Sequence, residues 1–279
     1  MLKKYSSVYE EDMRCYGLPH KGDGLNMAVE IGAATEGLGI LHMGGPDFVG
    51  TKSVRMIAFE PNTIWVNKNG ERFIDETMAF NKFISVNGLL RQPGKVSYAL
   101  FDENIRKSVE QQGIINGQGL SYPSLTRLTG IDDGLRIEFE KGVAKRAESW
   151  EAIAEWIGAS PDILKETIND YNADVDMGYD HIFNKDRRYL WALRTPPYYA
   201  LKCRPIFLGT IGGIKINHHM AVLNRDDCPI EGLFAAGVDT GGWSGKTYNP
   251  HLSGIALGFT INSGRIAGEN AAKYISGKR

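Results

Sequence analysis

The run GLFAAGVDTGGWSG at residues 232–245 limits the folds open to this chain more than any other stretch. It predicts a buried strand followed by a loop almost free of side chains, because glycine lets the backbone take positive φ angles and approach other atoms closely. After KTYNPH, the residues LSGIALGFTINSGRIAGENAAKYI predict a long C-terminal helix from about residue 253 to about residue 276. A strand, a bare loop and a helix N-terminus in this order favour a ligand lying against the backbone.

The composition argues against several classes of protein. Lys and Arg total 32 against 33 Asp and Glu, for a net charge of -1, so the overall charge does not attract nucleic acids or membrane surfaces. The three cysteines, Cys15, Cys203 and Cys228, are too few and too widely spaced for a disulfide framework or a CxxC metal site. No signal-peptide pattern and no apolar run of membrane-spanning length occurs. We expect a cytoplasmic protein with no metal site, no nucleic-acid partner and no membrane span.

Local patterns predict several element boundaries. Asp23 and Asp102 each precede a helical pattern and are predicted N-caps. NKNG predicts a hairpin-type turn in which Gly70 takes a positive φ. Residues 143–175 are predicted to be helical, with Ser160 as an N-cap before Pro161. A change in composition near Pro196, from helical patterns to short strands and glycines, predicts a domain boundary.

Six motifs occur in an order that resembles one family of proteins. They are GDGLNMAVEIGAA, VNKNGERFIDE, LKETINDYNADVDMGYDHIFNK, GGIKIN, GLFAAGVDTGG and SGRIAGENAAKY. The chain resembles the flavoproteins of the fumarate reductase, succinate dehydrogenase and ketosteroid dehydrogenase type. The resemblance implies an α+β chain in which a capping domain interrupts an α/β FAD-binding domain. Residues 1–50 and 200–279 would then be segments of the FAD domain, and residues 51–199 the capping domain that holds a small-molecule substrate.

The family's phosphate-binding turn has no counterpart in this sequence. Members of the family begin with a strand, a GxGxxG turn and a helix that bind the FAD pyrophosphate. GDGLNM and GLGILH both lack the third glycine of that pattern. We therefore expect a partial FAD-binding domain without the N-terminal Rossmann βαβ unit, completed by a separate chain carrying that half or by a homo-oligomer.

The resemblance implies FAD as the cofactor and two places that contact it. One is the loop after the strand, at Gly237, Val238 and Asp239; many relatives carry Glu where Val238 stands, and Asp239 is the candidate replacement. The other is the start of the last helix, whose free amides suit negative charge on a flavin; its residues are Ser253, Gly254, Ile255, Ala256 and Leu257. The alternative is that these glycines only allow the strand and helix to pack closely.

The substrate residues of fumarate reductases are missing from the matching positions. The proton-donating arginine would fall at Ala79 or Phe80, a substrate-binding histidine at Leu208 or Gly209, and a second arginine at His251. Arginine is the natural bidentate partner of a carboxylate, so we expect a substrate other than fumarate or succinate.

Three remaining side chains are candidate catalytic groups. Tyr248, His251 and His42 can hold or donate a proton near a flavin, and the alternative is that they are solvent-exposed or structural residues. Arg55 and Glu60, which lie where fumarate reductases place a proton relay, are interpreted as a salt bridge.

Two hypotheses about function follow. In the first, the chain is an FAD-dependent oxidoreductase acting on a nonpolar or keto substrate, with a partner chain completing the flavin site. In the second, it is a non-catalytic remnant of such a flavoprotein, folded and oligomeric, because an incomplete FAD domain would expose sheet edges and apolar surface.

Overall fold

A computed structural model of the 279-residue chain describes residues 2–17, 21–245, 248 and 254–277. The helices of these residues, in chain order, are α1 (Leu2–Tyr5), α2 (Asp23–Glu30), α3 (Lys52–Ile57), α4 (Lys82–Leu89), α5 (Glu103–Gln111), α6 (Ile131–Glu140), α7 (Trp150–Ile157), α8 (Pro161–Met177) and α9 (Ile255–Ile275). The strands are β1 (Arg14–Cys15), β2 (Thr35–Glu36), β3 (Leu41–Asp47), β4 (Ile64–Val66), β5 (Ser97–Asp102), β6 (Ala144–Ala147), β7 (Tyr198–Thr210), β8 (Gly213–Ile214), β9 (Ala221–Leu223) and β10 (Pro229–Phe234). The predicted mixture of helices and strands is confirmed.

The chain folds as two compact units. Unit 1 comprises Met1–Met43 and Ile206–Arg279, and unit 2 comprises Gly44–Pro205. The polypeptide passes from one unit to the other within β3 and again within β7, two strands that pair with each other.

Unit 2 is built on an antiparallel sheet. β5 pairs with β4 on one side and with β7 on the other, and β6 pairs with the second side of β7. Every residue of β5 is buried, which is typical of a strand covered on both faces. The largest fully buried side chains of the described chain all belong to unit 2; they include Trp65, Tyr171, Phe48, Phe59 and Phe101. Burying one such side chain contributes about 1.5–3 kcal/mol, so this unit holds the main apolar core.

The helix and turn signals of the sequence can be compared with the structure one by one. The prediction that residues 143–175 are helical is wrong at its start, because Ala144–Ala147 form β6, which pairs with β7. The Asp102 carboxylate accepts the N–H of Ile105 and caps α5, as predicted. Ser160 takes the predicted N-cap position before α8, although its side chain makes no capping hydrogen bond, and Gly70 has the predicted positive φ, 88°. The prediction for Asp23 is wrong by one residue: Gly22 takes the left-handed conformation, φ 80°, and Asp23 is already helical. Glycine reaches that conformation without strain, so the helix begins earlier.

Unit 1 contains short strand pairs rather than one broad sheet. β1 runs parallel to the end of β7, with Arg14 opposite Ile206, while β2 pairs antiparallel with β8 and β10 with β9. A small apolar cluster packs α2 against β8 and β9; its buried members are Ala28, Ala33, Ile214 and Val222. None of the described helices combines the length and apolar character needed to cross a membrane.

Candidate functional site

Three glycine-containing segments of unit 1 lie in direct backbone contact. A Cβ atom added to Gly212 would lie 1.9 Å from the carbonyl oxygen of Gly37, and one added to Gly213 would lie 2.1 Å from that of Asp239. A Cβ on Gly241 would lie 2.2 Å from the carbonyl oxygen of Glu36. Only glycine permits contacts this close. These glycines therefore hold the three segments together, and this packing also positions the residues around Asp239.

The loop after β10 forms a 3₁₀ turn, Gly237–Asp239. Gly237 is buried with a φ of 69°, and its N–H donates to the hydroxyl oxygen of Ser263 on α9 at 2.9 Å. Val238 is 44% exposed and Asp239 is also exposed. The turn is therefore anchored to α9 at its first residue, and its next two residues are presented to solvent.

The N-terminus of α9 carries no side-chain cap among the described residues. Gly254 precedes it in the left-handed conformation, φ 86°, and a Cβ on Gly254 would meet no atom within 4 Å. The Gly258 N–H donates to the Gly254 carbonyl oxygen at 2.7 Å. The amides of Ile255, Ala256 and Leu257 are thus first-turn donors, which have no partner within the helix. Ser253, the remaining predicted cofactor residue, lies outside the described residues.

Two of the three candidate catalytic residues lie together. The imidazole of His42, near the start of β3, lies against the phenol ring of Tyr248, with centroids 3.8 Å apart and planes inclined by 31°. Tyr248 is 8% exposed. The Ile211 N–H donates to the Ile40 carbonyl at 2.9 Å, so the start of β3 runs beside the segment containing Gly212. His251, the third candidate, lies outside the described residues.

The interpretation of Arg55 and Glu60 as a salt bridge is wrong. The Arg55 guanidinium donates to both carboxylate oxygens of buried Asp47, at 2.7 and 2.6 Å. Glu60 instead accepts the backbone N–H groups of Ile115, at 2.7 Å, and Asn116, at 3.1 Å. Burial raises the pKa of Glu60 to about 7, although both N–H groups oppose the change.

Sequence reasoning missed the ionisable groups around Arg55 in unit 2. Burial lowers the pKa of Lys82; the negative charge of Asp47 opposes this, and the positive charge of Arg55 adds to it. The sequence carried no signal for this grouping, because Asp47 and Lys82 belong to different elements. Among the described residues no group of three or more His, Cys, Asp or Glu side chains is placed to hold a metal ion.

Comparison with known proteins gives the family. The model of the FAD binding domain family matches residues 1–255. The chain is 30% identical to a vinyl phenol reductase of Lactiplantibacillus plantarum, over 91% of this chain and 53% of that protein. It is 32% identical to an NADH:acrylate oxidoreductase of Vibrio harveyi, over 99% and 26% of the two chains, and 32% identical to a probable fumarate reductase of Shewanella frigidimarina, over 98% and 42%. The chain thus spans between about a quarter and about half of the length of these relatives.

Solved structures give the same result for the fold. A flavocytochrome c3 fumarate reductase in its open conformation is 30% identical, covers 94% of this chain and 42% of its own, and superposes with a TM-score of 0.60. A 3-ketosteroid Δ1-dehydrogenase of Sterolibacterium denitrificans, 23% identical, covers 97% and 50% of the two chains with a TM-score of 0.75 and supports the fold alone.

These similarities support FAD as the cofactor and agree with the resemblance read from the six motifs. The chain belongs to the FAD binding domain family.

Proposed function

We propose that unit 1 forms part of the flavin site of an FAD-dependent oxidoreductase and that unit 2 is its capping domain, which holds a substrate other than fumarate or succinate. One observation carries the proposal. The uncapped N-terminus of α9 and the exposed Val238–Asp239 turn are joined by the hydrogen bond from Gly237 to Ser263. The first-turn N–H groups of α9 can donate hydrogen bonds to the polar edge of a flat heterocycle. The exposed turn, which is anchored to the same helix, can contact that heterocycle as well.

The residues present fit one end of FAD. The open space at Gly254 and the first-turn amides of α9 leave donors that can meet a flavin oxygen. A helix N-terminus carries roughly half a positive charge, which favours negative charge placed there. The sequence contains no GxGxxG turn for the pyrophosphate, so the proposed complete site includes a polypeptide that supplies one.

FAD, when bound, supplies hydride transfer. The chain's own part is to orient the flavin through α9 and to hold a proton near the substrate. Tyr248 and His42 are the proposed proton-holding pair, because their rings are in contact and both side chains can donate or accept a proton. His251, three residues after Tyr248 in the sequence, is proposed as a third polar group.

Phe80 supports a substrate that is not a dicarboxylate. Phe80 and Ala79 are the two candidates for the position at which fumarate reductases carry the proton-donating arginine. Phe80 is 51% exposed, with its ring 5.6 Å from that of Tyr189. An aromatic pair offers apolar contact and lacks the bidentate cation with which an arginine binds a carboxylate. We therefore propose an unsaturated or keto substrate with an apolar or aromatic body. The relatives that act on vinyl phenol and acrylate support reduction as the direction of the reaction.

The visible absorption spectrum tests this proposal. We expect purified protein incubated with FAD and desalted to retain the two bands of oxidised flavin when the pyrophosphate-binding polypeptide is supplied. The loaded protein, reduced by dithionite, should then be reoxidised by 4-vinylphenol but not by fumarate. Absence of bound flavin in every preparation would instead support a non-catalytic relative of these enzymes.

A further inference from the structure

Asn116 joins two backbone segments in the interior of unit 2. The residue is 6% exposed and lies in the chain between α5 and α6. Its side-chain nitrogen donates to the carbonyl oxygen of Phe59 and to that of Ala79, both at 3.0 Å. An amide nitrogen carries two hydrogens, so both side-chain donors of Asn116 are used. The side chain thus links the segment that follows α3 to the turn that contains Ala79.

A buried carboxyl group orients Asn116. Glu60 is fully buried and accepts the backbone N–H of Ile115, at 2.7 Å, and that of Asn116 itself, at 3.1 Å. Burial raises the pKa of Glu60 to about 7, which means that the fold disfavours the ionised carboxylate. Groups perturbed in this way are concentrated at functional sites. The pair Glu60 and Asn116 is therefore a candidate for a role beyond stability.

The turn held by Asn116 presents an aromatic ring. Ala79 and Phe80 belong to the 3₁₀ turn Glu76–Asn81. Ala79 is 5% exposed, whereas Phe80, the next residue, is 51% exposed. Glu76, the first residue of the turn, is fully buried in ion pairs with two cations. The turn is thus fixed near both ends, while the side chain of Phe80 stays exposed.

A second aromatic ring is held next to Phe80. Tyr189 lies in the 3₁₀ turn Arg187–Tyr189, with its ring inclined by 58° to that of Phe80. Lys185, two residues before this turn, pairs with Glu76 at 3.1 Å, so the two turns share a buried ion pair. Two rings tilted in this way offer a face and an edge to a third ring, an arrangement that aromatic groups favour. We call the rings of Phe80 and Tyr189 the aromatic wall.

We propose that Asn116, oriented by Glu60, is a positioning residue that fixes the Ala79–Phe80 segment and so makes the aromatic wall selective for substrates with an aromatic body. The inference rests on the proposed function, because the wall contacts a substrate only if unit 2 is the capping domain. Asn116 acts through the carbonyl oxygen of Ala79, the residue before Phe80. Loss of its two donors would leave both carbonyl oxygens without them, and the turn would relax. An unsaturated or keto compound that carries an aromatic ring is thus the substrate class.

The binding of 4-vinylphenol to the protein, measured by calorimetry, tests this inference. We expect Asn116→Leu and Phe80→Ala each to weaken binding by about tenfold, the factor that corresponds to the loss of an aromatic contact. The double variant should bind no more weakly than Phe80→Ala alone, because Asn116 acts through Phe80. In the flavin-loaded protein, Asn116→Leu should raise the KM for 4-vinylphenol and change kcat little, since substrate binding is what is lost.

Asn172→Leu is the matched control. Asn172, on α8, is also a buried asparagine of unit 2, and its side chain donates to the Leu193 carbonyl oxygen at 3.4 Å and accepts the Leu193 N–H at 2.8 Å. We expect Asn172→Leu to lower thermal stability as Asn116→Leu does, but to leave the affinity for 4-vinylphenol unchanged. Thermal melting checks that each variant folds.

Glu60→Gln reaches the same segment if Asn116→Leu does not fold. It disturbs the backbone of Asn116 and keeps both side-chain donors. We expect it to weaken binding of 4-vinylphenol less than Phe80→Ala does, and to have no effect in a protein that already carries Phe80→Ala. A further loss in that background would overturn the positioning role.

The outcomes separate this inference from the proposed function. Unchanged binding by Asn116→Leu, equal weakening by Asn116→Leu and Asn172→Leu, additive losses in the double variant, or no binding of 4-vinylphenol by the parent protein would each overturn the positioning role. Binding that depends on Asn116 and Phe80 in a protein that never retains flavin would support positioning and contradict the proposed function. Retained flavin and turnover of 4-vinylphenol, with a KM that neither variant changes, would support the function and contradict positioning.

Discussion

The rings of His42 and Tyr248 lie in contact, 3.8 Å between centroids, although the two residues come from opposite ends of the chain. Tyr248 is buried, with 8% of its surface exposed. Two side chains selected from the sequence for the same chemistry are thus neighbours in the fold. This contact supports the proposal that they act as a unit.

Tyr248→Phe tests the proton-holding role of this pair. The ring and its contact with His42 remain, and only the hydroxyl is lost. We expect kcat of the flavin-loaded protein to fall by about 10²–10⁴, the usual contribution of a positioned acid, while KM changes little. Steady-state turnover at several pH values measures this. An unchanged kcat with an unchanged pH profile would show that Tyr248 has a packing role only.

The backbone contact between Gly213 and Asp239 predicts a large difference between two glycines. Gly213→Ala places a methyl group 2.1 Å from the Asp239 carbonyl oxygen, so the backbone must shift. We expect a loss of about 1–3 kcal/mol in the free energy of unfolding, as for other overpacked sites, and weaker flavin retention.

Gly209→Ala is the control for this prediction, because a Cβ at Gly209 meets no atom within 4 Å. Gly209 lies near the end of β7, four residues before Gly213. We expect its free energy of unfolding to stay within about 0.5 kcal/mol of that of the parent protein. Urea unfolding of both variants decides the matter. Equal stability of the two would contradict the close approach.

A buried charge network is predicted to be sensitive to the loss of one member. Glu76 is fully buried and binds Arg72 at 2.8 Å and Lys185 at 3.1 Å, while Arg72 also binds Asp180 at 2.8 Å. Burial raises the pKa of Glu76, but the charges of Lys185 and Arg72 outweigh this and hold the pKa below its usual value. Glu76 is therefore ionised and depends on both cations.

Lys185→Met leaves the Glu76 carboxylate with one cation fewer in a site without water contact. We expect the free energy of unfolding to fall by about 3–5 kcal/mol, the typical cost of breaking a buried pair. Arg188→Ala removes an exposed pair with Asp186 and should change stability little. Denaturant titration of the two variants compares them, and a similar small effect in both would show that the network contributes little.

The raised pKa of Glu60 predicts that the stability of the protein depends on pH. Its pKa is about 7 in the folded protein and about 4.5 in the unfolded chain, so between these values the folded state binds the proton more strongly. The resulting stabilisation is complete below about pH 4.5 and is lost as the pH rises through 7. The difference between the pKa values corresponds to about 3 kcal/mol at most.

Glu60→Gln removes this titration and retains an oxygen that accepts an N–H group. We expect the variant to lose less stability than the parent protein between pH 5 and pH 8, measured by chemical denaturation. Parallel curves for the two proteins would show that Glu60 keeps an ordinary pKa.

Local patterns in the sequence were sufficient to predict part of this structure. Asp102 caps α5, Gly70 takes a positive φ, and Ser160 with Pro161 begins α8 because each depends on neighbours within a few residues. The order of the six motifs was also sufficient to indicate the flavoprotein family, which the match over residues 1–255 bears out. Neither kind of signal needs information about distant contacts.

Only the tertiary structure decided which distant groups meet. Arg55 binds Asp47 rather than Glu60, and Glu60 binds amides of the Ile115 segment, because a charged group pairs with whatever the fold brings within reach. The contact of His42 with Tyr248 has the same origin. Sequence alone determined several element boundaries and the family, since these follow from local conformational preference and motif order, whereas the strand β6 in a segment of helical pattern depends on pairing with β7. The pairings required the fold, since burial and distance are properties of packed chains.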